Sequence, residues 1–174
     1  MEKLFTMDAL VSIVVIGYCL WSLYSSTKQF MINNRLFKEY KANHKNYDEL
    51  DTSKKYLALY AILFVVCIAL MIHPHVKADQ VYFTRVALGC IALIAIALSL
   101  DTIVKRRIIF DDKGFVYEKA YYHYRLVSNV TYEKGFMKNT EIASLEVKRI
   151  MISRQMGEVF KKHYMEWKNR KKKK

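Results

Sequence analysis

Residues 86–100 read Val86-Ala87-Leu88-Gly89-Cys90-Ile91-Ala92-Leu93-Ile94-Ala95-Ile96-Ala97-Leu98-Ser99-Leu100, a run with no charged side chain. A helix rises 1.5 Å per residue, so it needs about 20 mainly apolar residues to cross the hydrocarbon of a bilayer, and somewhat fewer with interfacial flanks. Tyr82 and Phe83 flank this run upstream, and the basic triplet Lys105-Arg106-Arg107 follows it. Working outward, the same composition recurs at residues 56–72, opened by Tyr56 and Tyr60, and at residues 9–24, which hold Trp21 and Tyr24. Three such segments predict an integral membrane protein. No small-x-small cleavage site follows the first run, so it is read as a permanent helix.

Charge sets the expected orientation. The chain carries a net +13, and its basic residues avoid the apolar runs. Lys3 alone precedes the first run, whereas Lys28, Arg35, Lys38, Lys41, Lys45, Lys54 and Lys55 lie between the first and second. Lys77 and Arg85 accompany the short second connection, and a basic tail follows the third run. Positive loops stay cytoplasmic. The alternation predicts a multi-pass protein of the cell membrane with its N-terminus outside, three crossings and a cytoplasmic C-terminus.

Within the third run, Gly89, Ala92, Ala95 and Ser99 recur every three to four residues. Small residues at that spacing let helix backbones approach closely, and such packing drives association in lipid. The partner is expected within the chain first and in a second copy next. Cys19, Cys67 and Cys90 all fall in the apolar runs and read as small packing residues rather than a disulfide framework.

The connector, residues 25–55, begins with a helical pattern. Phe30, Asn33, Phe37 and Tyr40 share one face, with basic residues around it. A helix is expected to leave the bilayer here, and either to lie along its inner surface or to pack on the cytosolic module. His44, Asn46 and Asp48 then mark a turn-rich stretch.

After Arg107 the period changes from helical to strand-like. Ile108-Ile109-Phe110 and Phe115-Val116-Tyr117 bracket Asp111-Asp112-Lys113-Gly114, a hairpin signal with Gly114 free to take positive φ. Residues 127–132, 142–147 and 149–153 read as further strands, with Ile142, Leu145 and Val147 the apolar members of the middle one and a turn at 135–139. Ser153 is a good N-cap for a last helix, whose stripe is Met156, Val159, Phe160, Tyr164 and Trp167. That stripe is read as a core or partner face.

The fold expected is thus a membrane protein of α plus small α+β type. Three transmembrane helices (residues 1–105) precede a short antiparallel sheet closed by a C-terminal amphipathic helix (106–169) and a polybasic tail (170–174). The run 108–115, the segment Tyr122-His123-Tyr124-Arg125-Leu126-Val127-Ser128-Asn129-Val130 and the last helix together resemble the bacterial pleckstrin-homology-like module found on small membrane proteins of Gram-positive bacteria. Leu126-Val127 stand where that family usually has an acid and Ile. The segment is short for seven strands, so the resemblance implies a truncated sheet. It also implies a protein-interaction or membrane-surface element without catalytic residues.

Lys168, Arg170, Lys171, Lys172, Lys173 and Lys174 put six positive charges in the last seven residues. Near an anionic leaflet each is worth about 1 kcal/mol, so anionic phospholipid headgroups are expected partners. The aromatic run from Tyr121 to Tyr124 lacks any accompanying nucleic-acid-binding signature and reads as packing, with no nucleic acid expected. His73, His75 and Asp79 are too few for a structural metal site. Nucleophile elbows, phosphate loops and HExxH are absent from the sequence. The reading is a non-enzymatic accessory, scaffold or regulatory protein without a cofactor. Its partner is a membrane or cytoplasmic protein or a second copy. The alternatives are an immunity protein against a membrane-active peptide or toxin, and a small oligomeric pore or carrier.

Overall fold

A computed structural model describes residues 2–73, 77, 80–132, 139–145 and 149–172, with the backbone alone at 2–8, 132 and 172. The described elements run α1 (Glu2–Asn43), β1 (Asp48–Asp51), α2 (Lys54–Ile72), α3 (Val81–Lys105), β2 (Arg107–Phe110), β3 (Gly114–Tyr117), β4 (Ala120–His123), a 3-10 turn (Tyr124–Leu126), β5 (Val127–Tyr132), β6 (Thr140–Ser144), β7 (Ile150–Ile152) and α4 (Arg154–Lys172). They form two compact units. One comprises residues 1–30 and 54–102, and the other residues 31–53 and 103–174.

The first unit holds three helices long and apolar enough to cross a membrane, as the sequence predicts. Only 6% of the apolar window of α2 is buried, so nearly all its surface suits lipid or another apolar helix. Cys19 of α1 and Cys90 of α3 are both buried within this unit. A Cβ on Gly89 would stand 3.8 Å from the Met71 terminal methyl of α2. The Arg85 Nε donates to the Met71 carbonyl at 3.2 Å. Mid-helix hydroxyls are satisfied by the preceding turn: Thr27 donates to Leu23 O and Ser99 to Ala95 O, each at 2.8 Å. Lipid offers such groups no alternative partner.

The second unit departs from the expected short sheet. Seven strands are described, in two antiparallel sheets ordered β1-β2-β3-β4 and β5-β6-β7. The first strand comes from the connector that the sequence reading took as turns. Asp48–Asp51 pairs with Arg107–Phe110, Asp51 opposite Arg107 and Asp48 opposite Phe110. Three acids in four residues make a poor strand. It forms because Glu49 is held by both Lys41 and Arg107 and because Leu50 packs inward.

Both faces of the four-stranded sheet are covered. Ile108, Phe110, Phe115, Tyr117 and Tyr122 point to one side, where they are buried with Val127, Ile142, Ile150, Ile152, Met156 and Phe160. Ile109 and Val116 point to the other, where they are buried with Phe37 and Tyr40 of α1. Strands buried on both faces read as continuous apolar runs, which is why β2 and β3 show no clear alternation. The C-terminal stretch of α1 thus packs on the sheet, the second of the two placements its apolar face allowed. Neither glycine nor proline interrupts residues 18–43, so the helix is not broken before it gets there.

Gly114 corrects a local expectation. No described glycine has positive φ. Gly114 opens β3, and a Cβ there would come within 2.1 Å of the Tyr122 carbonyl oxygen. Close approach of β4, rather than turn handedness, demands the glycine. The positive-φ residue is Glu118 (50°), in the tight β3–β4 turn. Leu145 is also displaced from its expected role, being 77% exposed just beyond β6, and Val147 lies outside the described residues. The turn expected at 135–139 falls outside them as well, except for Asn139.

Candidate functional site

The site is built where the end of α1 meets the β2–β3 turn. Asp111 is its centre. Its Oδ1 accepts the backbone N–H groups of Lys113 and Gly114, both at 2.6 Å, which closes the turn. The Tyr121 hydroxyl of β4 reaches both carboxylate oxygens at 3.1 Å. The Tyr40 hydroxyl of α1 donates to Oδ2. One carboxylate therefore ties a helix, a hairpin turn and an edge strand together. The two phenol rings stack at 5.7 Å, and His44 stacks on Tyr40 at 4.1 Å.

Burial first, and then the Asp111 charge and hydrogen bonds, push the Tyr40 and Tyr121 hydroxyls well above the usual phenol range. Both stay protonated donors at any physiological pH. Tyr124 is raised too, chiefly by burial. Glu49 goes the other way: burial raises it, but hydrogen bonds from Lys41 and Arg107 outweigh that and hold the carboxyl below its usual range.

The arm of α1 is fastened along the sheet by further contacts. Asn33 donates to the Glu118 carbonyl at one end. The Arg107 guanidinium lies 4.7 Å from the Phe37 ring centre midway. Tyr40 reaches Asp111 at the other end. From residue 33 to residue 40 a helix advances about 10 Å, close to the length of a four-residue strand. Beside the Asp111 cluster opens a cleft of 520 Å³, walled by Tyr40, Tyr121, the segment 43–46, the turn at 112–113 and His123.

The residues singled out in the sequence are placed as follows. Ala92 and Ala95 are buried in the three-helix unit, while Gly89 and Ser99 are half-buried. On α4, Met156 and Phe160 are fully buried, and Val159, Tyr164 and Trp167 pack around the same core. The Phe160 ring meets Phe115 edge-on at 5.2 Å, and the Tyr164 hydroxyl donates to the Val127 carbonyl at 3.3 Å. Ser153 Oγ accepts from Met156 N at 3.5 Å, a long N-cap bond. Of the basic tail, Lys168 lies over Tyr164 at 4.6 Å, Lys171 over Trp167 at 5.5 Å, and Arg170 pairs with Asp112. The side chains of Lys172, Lys173 and Lys174 lie outside the described residues, as do Pro74, His75 and Asp79.

The sequence reading missed the Asp111 cluster. Tyr40 and Asp111 are 71 residues apart, with two bilayer-length helices between them, and no local pattern joins such a pair. The one available signal was the Asp-Asp-Lys-Gly turn, which gave Asp111 its turn role alone.

Three apolar helices and an α+β unit of seven strands and a last helix place the chain among membrane-associated proteins with an appended sheet module. A family model described as "Protein of unknown function (DUF986)" matches residues 7–166, and the chain belongs to that family. Neither the curated proteins nor the solved structures hold a match to it.

Proposed function

We propose that this protein is a non-enzymatic accessory or regulatory component of the cell membrane, multi-pass, with its N-terminus outside. On this reading its sheet-and-helix unit binds a protein partner at the cytoplasmic side. The observation that carries the reading is the use made of the ionisable groups in that unit. Asp111 is consumed by four donor groups, Glu49 by two cations, and Asp112 by Arg170. Carboxylates that build the fold in this way are not free for acid–base chemistry.

Surface is available for a partner. Ile150 and Ile152 of β7 point inward, so Met151 points outward, and Leu145, just beyond β6, is exposed as well. Exposed apolar side chains such as these suit a protein contact. On this reading the unit is the pleckstrin-homology-like module that the sequence resembles, with four plus three antiparallel strands in place of the truncated sheet expected, its last helix closing the sheets, and α2 and α3 inserted after β1. Lipid is a weaker partner on this reading. Each tail cation gains about 1 kcal/mol at an anionic leaflet, but Lys168 and Lys171 would give up ring contacts worth about 0.5–1 kcal/mol each.

A photo-crosslinking amino acid at position 145 or 151 of the full chain, activated in intact membranes, tests this. One defined protein adduct is expected at both positions and not at the exposed control position 162, and Leu145→Asp should remove the adduct formed from 151. Lipid adducts alone, or none, would refute it.

A further inference from the structure

The fold uses Asp111, Tyr40 and Tyr121 at the cleft, and the His44 and His123 rings pack on the two tyrosines, while the polar ends of the other rim side chains face the opening. Asn43, His44, Lys45 and Asn46 contribute from the segment after α1, Lys113 from the β2–β3 turn and His123 from the end of β4. These are two amides, two imidazoles and two ammonium groups; the amides, the ammonium groups and His123 can each donate a hydrogen bond, while His44 already donates from Nδ1 to the Tyr40 carbonyl at 3.1 Å. The acceptor positions of the nearby carboxylates are already occupied. Asp111 is surrounded by its four donor groups, and Asp112 is paired with Arg170. By contrast, neither Lys45 nor Lys113 has an ion-pair partner among the described residues.

The size of the cleft narrows the ligand. Its 520 Å³ falls within the roughly 300–1,000 Å³ of organic-ligand sites and far exceeds what a bare ion fills. Rings form much of its wall: the Tyr40–His44 stack, and Tyr121 with His123 edge-on at 4.9 Å. Its position narrows the source. Within this unit the chain leaves for α2 and arrives from α3 at Ser53 and Arg106, where Thr52 N–H bonds the Arg106 carbonyl at 2.9 Å. That is the Asp51–Arg107 end of the sheet, whereas the cleft lies beyond the Asp48–Phe110 end.

We infer that this cleft binds a soluble organic phosphate. Lys45 and Lys113 take the charged group, His123 and the amides supply further donors, and the organic body lies against the aromatic wall. Lysine is a regular phosphate ligand, acting as a point charge without demanding a fixed approach. The inference stands whether or not the unit also binds a protein.

Titration calorimetry on the full chain in neutral detergent tests it, with phenyl phosphate as the probe. Saturable binding is expected, weaker with inorganic phosphate and absent with phenol. Lys45→Gln and Lys113→Gln should each weaken it about tenfold, the loss of one charge-assisted contact, whereas Lys162→Gln on α4 should leave it unchanged. Both lysines are exposed, so an unchanged melting temperature confirms that the variants fold; His123→Gln is a third variant that should weaken binding. No saturable heat up to about 10 mM phenyl phosphate, equal binding by the lysine variants, or binding confined to vesicles containing phosphatidic acid would overturn the inference.

Discussion

Asp111→Ala gives the sharpest test of how the second unit is held together. The substitution removes the acceptor of the Tyr40 and Tyr121 hydroxyls and of two turn amides. A hydrogen bond to a charged group contributes about 1.5–3 kcal/mol when desolvated. Tyr40 is buried and qualifies in full; Tyr121 is only half-buried, and the Lys113 amide is exposed. Taking the Tyr40 bond at about 2 kcal/mol, and the Tyr121 and Gly114 bonds at about 1 kcal/mol each after discounting for water, the loss is about 4 kcal/mol. Typical domain stability is about 5–15 kcal/mol, so the unit should stay folded while the end of α1 opens more often. The assay is native-state hydrogen exchange on the detergent-solubilised chain. At about 1.4 kcal/mol per decade, protection over residues 36–43 and 120–123 should fall by between two and three orders of magnitude, with residues 155–165 less affected. Tyr40→Phe alone should cost about 2 kcal/mol and should add almost nothing to Asp111→Ala, since the bond it removes is already gone. Unchanged protection at 36–43 in Asp111→Ala, or full additivity of the two substitutions, would show that packing of Phe37 and Tyr40 holds the helix and that the carboxylate is incidental.

Three further outcomes follow from the same structure. Gly114→Ala should destabilise the second unit by more than the 1–3 kcal/mol usual for overpacking, because its Cβ meets a backbone oxygen at 2.1 Å; a melting temperature within about 2 °C of the parent would contradict that. Stability should drop as pH rises above 10, because the unfolded chain releases the Tyr40, Tyr121 and Tyr124 protons there while the folded chain, with all three raised, retains them. Each contributes a slope of about 1.4 kcal/mol per pH unit, so Tyr40→Phe should flatten alkaline unfolding followed by circular dichroism, and an identical curve would show that Tyr40 does not titrate in this way. In intact cells, a single thiol at Lys77→Cys, in a variant with all three native cysteines replaced, should react with an impermeant maleimide, whereas one at Lys171→Cys should not; the reverse labelling would invert the topology argued from loop charge.

The parts of this fold that were legible in the sequence are those set by a solvent. Lipid demands long uncharged helices, so residues 56–72 and 86–100 declare themselves, and water demands one polar face on α4, so its stripe from Met156 to Trp167 appears at helical spacing. The parts that were not legible are set by pairing across distance. Asp48–Asp51 has no strand character of its own and acquires it from the exposed edge of β2 and the cations Lys41 and Arg107. The double burial of Ile109 and Val116 shows only as an absence of alternation, because the covering side chains, Phe37 and Tyr40, come from before two membrane-length helices.

That arrangement has a physical consequence for how the second unit is assembled. β1 and the α1 arm are separated in sequence from β2, β3 and β4 by residues 54–105, so neither could find those strands cheaply if that intervening chain were free: closing a loop of about 50 residues costs several kcal/mol of chain entropy. Two helices that leave and return remove most of that cost, because they bring the chain back to hydrogen-bond distance of its point of departure, Thr52 N–H to the Arg106 carbonyl, before β2 is reached. The three acids of β1 then serve a purpose that strand propensity would not suggest. Glu49 pairs with Lys41 and Arg107, Asp48 lies against His163 and Asp51 accepts from Ser53, so the acids are matched to this one position, which guards the sheet edge against foreign strands while specifying its own register.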